Sequence, residues 1–114
     1  MSQWKIYHNP KCSKSREALA LLQARGVEPV VVEYLKEPPT AREIRELIKN
    51  LGGLTPALVR TKEDLYQELG FDVNSVDVVV ENLVKHPKLL ERPIVVKDHV
   101  AVIGRPVENI EKLF

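Results

Sequence analysis

Trp4-Lys5-Ile6-Tyr7-His8-Asn9-Pro10-Lys11-Cys12-Ser13-Lys14-Ser15-Arg16 passes from a strand pattern to a helix pattern across the only cysteine of the chain. Trp4 to Tyr7 reads as a short strand, and Ser13 to Arg25 reads as a helix with Ala18, Leu19, Leu21 and Leu22 at helical spacing before Gly26 closes it. The β-branched run in Pro29-Val30-Val31-Val32-Glu33-Tyr34 has strand length, and a right-handed crossover would lay it parallel to the first strand. The chain therefore opens as a βαβ unit with Cys12 at the start of its helix. A sulfur there meets unpaired backbone N–H groups and the positive helix end, both of which favour thiolate over thiol.

Beyond Pro38-Pro39 the pattern turns helical. Thr40-Ala41-Arg42-Glu43 is a capping box ahead of Ile44, Leu47, Ile48 and Leu51, which share one helix face, and Gly52-Gly53 ends that helix. Thr55-Pro56 starts a short helix, Glu63 to Leu69 forms another ended by Gly70, and Ser75 to Lys85 forms a third. Val78-Val79-Val80 favours strand locally, yet Val76, Val79, Val80 and Leu83 make a helical stripe, so the segment is read as helix. Pro93-Ile94-Val95-Val96, a polar turn at Lys97-Asp98-His99 and Val100 to Ile103 make an antiparallel hairpin, and Gly104-Arg105-Pro106 leads into a final amphipathic helix bearing Val107, Ile110, Leu113 and Phe114. The order β-α-β, helices, β-β-α is that of an α/β, thioredoxin-like fold with a mixed four-stranded sheet. One domain over residues 1–114 is expected, with a helical insertion at about 40–88.

Composition narrows the function classes. Seventeen basic against sixteen acidic residues leave a net charge of +1, so no overall field draws the chain to nucleic acid or to an anionic membrane. No apolar run approaches a transmembrane span, and Met1 to Lys11 lacks a signal-peptide core, so a cytoplasmic protein is expected. A single cysteine suits a reducing compartment. His8, His86 and His99 are scattered, and there is no glycine-rich phosphate loop, so neither a metal nor a bound nucleotide cofactor is expected.

Cys12-Ser13-Lys14-Ser15 keeps the spacing of a Cys-x-x-Cys redox motif but has serine where the resolving sulfur would stand, so any disulfide must form with another molecule. Arg60, Arg92 and Arg105 each lie at an element's end. A hairpin brings Arg92 and Arg105 together beside the cysteine, where guanidinium forks suit a tetrahedral oxyanion. Pro93 is either a strand-opening proline or the second residue of a cis bond facing Cys12. His8 is either an imidazolium supporting the thiolate or a solvated residue at a strand end. Ser13 and Ser15 either donate to the sulfur or a bound anion, or cap the helix; Ser15, in the missing cysteine's place, is the better placed for the sulfur.

Tyr7-His8-Asn9-Pro10-x-Cys12-Ser13-x-Ser15-Arg16, Thr55-Pro56 with Arg60, Arg92-Pro93-Ile94 and Gly104-Arg105-Pro106 together resemble the glutaredoxin-dependent arsenate reductase family, in order from Lys5 to about Val107. The resemblance implies Cys12 as catalytic nucleophile and Arg60, Arg92 and Arg105 as the arginines that hold arsenate. It also implies a thiol–arsenate adduct, glutathione as co-substrate and glutaredoxin as partner; a monomer is expected. Where well-known members carry Gly-Thr between cysteine and serine, this chain has Ser13-Lys14, and many members continue past the length at which Phe114 falls; the chain is more similar to a branch of short arsenate-reductase-like proteins. Two other functions fit the same fold. A glutathione-dependent thiol reductase would need Cys12 but not Arg60 and Arg105, and an RNA polymerase-binding regulator would ordinarily carry the Cys-x-x-Cys switch that Ser15 removes.

Overall fold

The computed structural model describes residues 2–114; Met1, where the expected domain begins, lies outside them. β1 (Trp4–Tyr7) leads to α1 (Ser13–Ala24) and β2 (Val30–Val32), followed by α2 (Ala41–Asn50), a 3-10 turn (Pro56–Leu58), α3 (Asp64–Leu69), α4 (Val76–Lys85) and a second 3-10 turn (Pro87–Leu89). β3 (Ile94–Lys97), β4 (Val100–Ile103) and a 3-10 helix (Val107–Leu113) complete the order. The described residues form a four-stranded mixed sheet ordered β2-β1-β3-β4, with β1 and β2 parallel and the other pairings antiparallel. The expected α/β architecture, βαβ then helical insertion then a hairpin and a closing helical segment, is present.

Side-chain alternation divides the core between the two faces of the sheet. Ile6 and Val95 pack with Ala18 and Leu22 of α1 and with Ile110 and Leu113. Tyr7, Ile94 and Val96 pack on the insertion, through Ile44, Leu47 and Ile48 of α2 and Val79, Val80 and Leu83 of α4. Each such fully buried aliphatic side chain contributes about 1.5–3 kcal/mol. The Thr40 capping box forms as expected, Glu43 N–H donating to Thr40 Oγ1 at 3.1 Å and Thr40 N–H to Glu43 Oε1 at 3.0 Å.

Four local expectations are corrected. The second strand stops at Val32, and the N–H groups of Lys36 and Glu37 both donate to the Glu33 carbonyl in a turn that carries Tyr34 into the core. β2 is an edge strand whose Val30 is 63% exposed, and a short edge offers fewer unpaired backbone groups. The final element is a 3-10 helix rather than an α-helix, because Val107, Ile110 and Leu113 recur every third residue, the period at which 3-10 side chains align. Phe114 does not join the core but lies against Trp4, ring centres 5.0 Å apart, beneath the Arg25 guanidinium. In α4, Val79, Val80 and Leu83 are buried as the helical stripe requires, whereas Val76, in the first turn, is exposed.

Candidate active site

The loop after β1 is tied down by backbone and side chains alike. His8 N–H donates to the Val32 carbonyl at 2.8 Å, Lys11 N–H to Asn9 Oδ1 at 3.0 Å, and Cys12 N–H to the Asn9 carbonyl at 3.0 Å. Cys12 is the N-cap of α1, extended at φ −97° and ψ 122°, and no side chain caps the helix. The N–H groups of the first turn have no carbonyl behind them and so face the sulfur end. Half-buried Cys12 thus sits at a helix start with uncommitted donors.

His8 is not a solvated residue at a strand end, and Ser15 does not cap the helix. Both are buried, and they meet each other: His8 Nδ1 and Ser15 Oγ lie 2.6 Å apart, and Ser15 Oγ also accepts from Asn9 N–H at 3.0 Å. Burial pushes the His8 pKa below its ordinary value, with Glu33 opposing and Arg16 assisting, and the ring is a buried strut of the loop. The Ser15 hydroxyl is engaged by this pair and fixes the loop that carries the sulfur. The reason is the closed turn from Tyr7 to Cys12, which folds residue 15 back under residue 8.

Three separate segments deliver the arginines. An isolated antiparallel bridge joins Val59 to Leu90, with Arg60 N–H donating to the Leu89 carbonyl and Glu91 N–H to the Leu58 carbonyl, both at 2.8 Å; this clamps Arg60 beside Glu91 and Arg92. The β3–β4 pairing sets Ile103 opposite Ile94, and Gly104 N–H donates to the Pro93 carbonyl at 2.8 Å, which brings Arg105 to the same place. Gly104 is needed for that approach, since a Cβ there would stand 3.0 Å from Pro93 Cγ and 3.2 Å from Ile110 Cδ1. The Arg92–Pro93 bond is cis, one of the two readings open for Pro93, and the Arg105–Pro106 bond is cis as well.

Arg105 Nη2 lies 3.4 Å from Cys12 Sγ, while its Nε donates to the Arg92 carbonyl at 2.8 Å. Arg60 Nη1 pairs with Glu63 at 2.5 Å. Arg92 has 11% of its side chain exposed, and its Nε and Nη1 are buried with no hydrogen-bond partner. A buried guanidinium with idle donors is costly unless an acceptor satisfies it. Positive charge, idle donors and a half-buried sulfur therefore converge on one spot, a setting suited to a thiolate attacking a bound oxyanion.

Two further side chains belong to this cluster that the sequence reading did not single out. Glu91 Oε1 lies 3.6 Å from Arg105 Nε and 3.9 Å from both Arg60 Nε and Arg92 Nη1, and accepts from Arg92 N–H at 3.1 Å. Burial pushes its pKa up, against the pull of Arg105 and Arg60. Tyr34 is 1% exposed, and burial raises its phenol to about 12, with Arg60, Cys12 and Glu91 all acting on it. A lone acid beside an arginine reads as solvated surface, and a tyrosine at the end of a valine run reads as strand; neither carries a local signal. Arg60, Glu91 and Arg105 line a groove of about 700 Å³. Among the described residues no cluster of three or more His, Cys, Asp and Glu could hold a metal ion, and no helix is long and apolar enough to cross a membrane.

The sequence profile of the ArsC family matches residues 7–113. The arsenate reductase of Neisseria meningitidis serogroup A is 46% identical over 114 residues, covering 97% of each chain. The uncharacterized protein YfgD of Escherichia coli strain K12 is 51% identical over 111 residues, covering 95% of this chain and 93% of that one. Among solved structures, the arsenate reductase from Vibrio cholerae superposes with a TM-score of 0.91 at 45% identity over 98% of both chains.

Proposed function

The chain belongs to the ArsC family, and from that premise we propose that it reduces arsenate to arsenite through a covalent adduct on Cys12. The observation that carries the reading is the buried Arg92 guanidinium, whose Nε and Nη1 lack partners in the cluster where Arg105 touches the sulfur. Such donors match the oxygens of a tetrahedral oxyanion and would strengthen as charge develops on them in the transition state.

In the proposed reaction the Cys12 thiolate attacks arsenic, and an arsenate oxygen leaves as water after taking up a proton. Arg60, Arg92 and Arg105 hold the remaining oxygens. Ser15 stands where a resolving thiol would be, so the second sulfur is external, and glutathione is the co-substrate. Its thiol attacks Cys12 Sγ, the S–As bond breaks with its electron pair passing to arsenic, and arsenite departs. The Cys12–glutathione disulfide left behind is reduced by glutaredoxin. His8 and Ser15 hold the loop. The proposed setting is the cytoplasm, with the protein acting as a monomer.

The test is arsenate-dependent NADPH oxidation by the purified protein with glutathione, glutaredoxin and glutathione reductase. Wild type is expected to turn over. Cys12→Ser is expected to lose on the order of 10³-fold or more, as removal of a nucleophile does. A silent wild type whose Cys12 still alkylates quickly at neutral pH overturns the arsenate assignment and leaves a working thiol for another substrate.

A further inference from the structure

Glu91 is the unexpected member of the clamp. One of its oxygens, Oε1, lies within 3.9 Å of a nitrogen of each of the three arginines, so the carboxylate shares the donors that a bound oxyanion would use. Yet it is not what holds Arg60 and Arg105 in place. No guanidinium donates a hydrogen bond to it; its hydrogen bond comes from the Arg92 backbone N–H. Arg60 is anchored on Glu63 and Arg105 on the Arg92 carbonyl. What Glu91 contributes to the clamp is charge.

That charge decides what the clamp can neutralise. The groups facing Glu91 are Arg60, Arg92 and Arg105, with Glu63 bound to Arg60 and the un-ionised Tyr34 phenol nearby. Its carboxylate offsets part of the positive charge that an anion entering the clamp would meet. A singly charged oxyanion meets that repulsion once. A doubly charged one meets it about twice over, in a partly desolvated site where like charges a few ångströms apart repel strongly. We propose that Glu91 is a specificity-determining residue of the oxyanion site, disposing it toward singly charged tetrahedral anions and against doubly charged ones such as sulfate.

The proposal takes the site to be the oxyanion site of the function read above, but its test needs no turnover. Cys12 is alkylated with iodoacetamide, a neutral reagent, at constant ionic strength, and protection is titrated with methanesulfonate, singly charged, and with sulfate, doubly charged. Wild type is expected to be protected by both ions, and the ratio of its two protection constants is the reference. Glu91→Gln, which keeps the shape and the Arg92 N–H bond, is expected to bind sulfate about tenfold more tightly, with a smaller change for methanesulfonate. An unchanged ratio of the two constants overturns the proposal, as does weaker protection by both ions, which would make Glu91 a support for the arginines. Should Glu91→Gln fail to fold, Glu91→Met, uncharged and of similar length, is titrated in its place and read in the same way. Arsenate turnover measured on the same preparation separates the two readings: turnover with an unchanged ratio rejects only the role of Glu91, and a shifted ratio without turnover rejects only arsenate reduction. Protection of wild type by neither ion rejects the role of Glu91 together with the oxyanion site.

Discussion

The two ends of the sheet treat charge in opposite ways. At the far end, Gln3 N–H donates to Asp98 Oδ1 and Asp98 N–H to the Gln3 carbonyl, both at 2.8 Å, Lys97 Nζ donates to the Leu113 carbonyl at 2.9 Å, and Arg25 bonds Glu111 at 2.6 Å. At the Cys12 end, Arg92 is buried with idle donors, and Glu91 sits among guanidinium groups without a hydrogen bond from any of them. The larger groove, about 1020 Å³, lies toward the far end between Trp4, Lys5, Glu28, Glu46 and His99, and has no arginine and no cysteine in its lining. Space and chemistry are thus separated in this molecule. Unsatisfied donors, and not volume, mark where a ligand would be bound.

The sharpest way to break this contrast is Arg92→Met. If the Cys12 end trades stability for reactivity, kcat/KM for arsenate reduction falls about 10²–10³-fold, while the urea midpoint stays level or rises because a buried, half-partnered charge has gone. A large drop in the midpoint would show that Arg92 is structural and the contrast false. Gly104→Ala comes next: the methyl group would meet Pro93 and Ile110, and we expect a loss of about 1–3 kcal/mol in urea unfolding together with reduced activity. At the far end, Phe114→Ala removes the contact with Trp4 and the surface under Arg25, for an expected loss of about 1 kcal/mol and unchanged turnover.

Titration gives the smallest and most local comparison. His8 at the Cys12 end has its folded pKa below the unfolded value near 6.5. The unfolded chain therefore takes up that proton first, so stability is full above about pH 6.5 and is lost as pH falls below it. Asp98 at the far end is held below its ordinary value chiefly by the Gln3 N–H hydrogen bond. Its contribution is present above about pH 3.9 and is lost as pH falls through the lower, folded value. Urea unfolding from pH 7 to 3 is expected to show both declines; His8→Gln removes the first and Asp98→Asn the second.

What the sequence displayed divides along similar lines. The strand, loop and helix around Cys12, the Thr40 capping box and the Ile94–Ile103 hairpin were legible, because each rests on residues a few positions apart. Arg60, Arg92 and Arg105 were legible through motifs at element ends. Glu91 was not, since its meaning depends on the Val59–Leu90 bridge, a contact that no local period encodes. The pairing of His8 with Ser15 was hidden for a related reason: seven residues separate them, and only the closed turn makes them neighbours. The 3-10 form of Val107–Leu113 had a signal in the every-third-residue spacing, which the expectation of an α-helix overrode.

The strand order β2-β1-β3-β4 also governs how the chain is made. β1 gains its second neighbour only when β3 arrives, nearly ninety positions later, and loop closure over such a separation is slow compared with local pairing. During synthesis, at about 5–20 residues per second, the βαβ opening waits several seconds with the β3-facing edge of β1 unpaired and Ile6 and Tyr7 without their final cover. A chain halted before Ile94 would keep its nucleophile yet lack Arg105, strand β3 and, from the α1 side of the sheet, the core residues Val95, Ile110 and Leu113. Such fragments are expected to be aggregation-prone ribbons that engage holdase chaperones, so the nascent chain's burden falls on the cell's folding machinery until the segment from Ile94 onward is made.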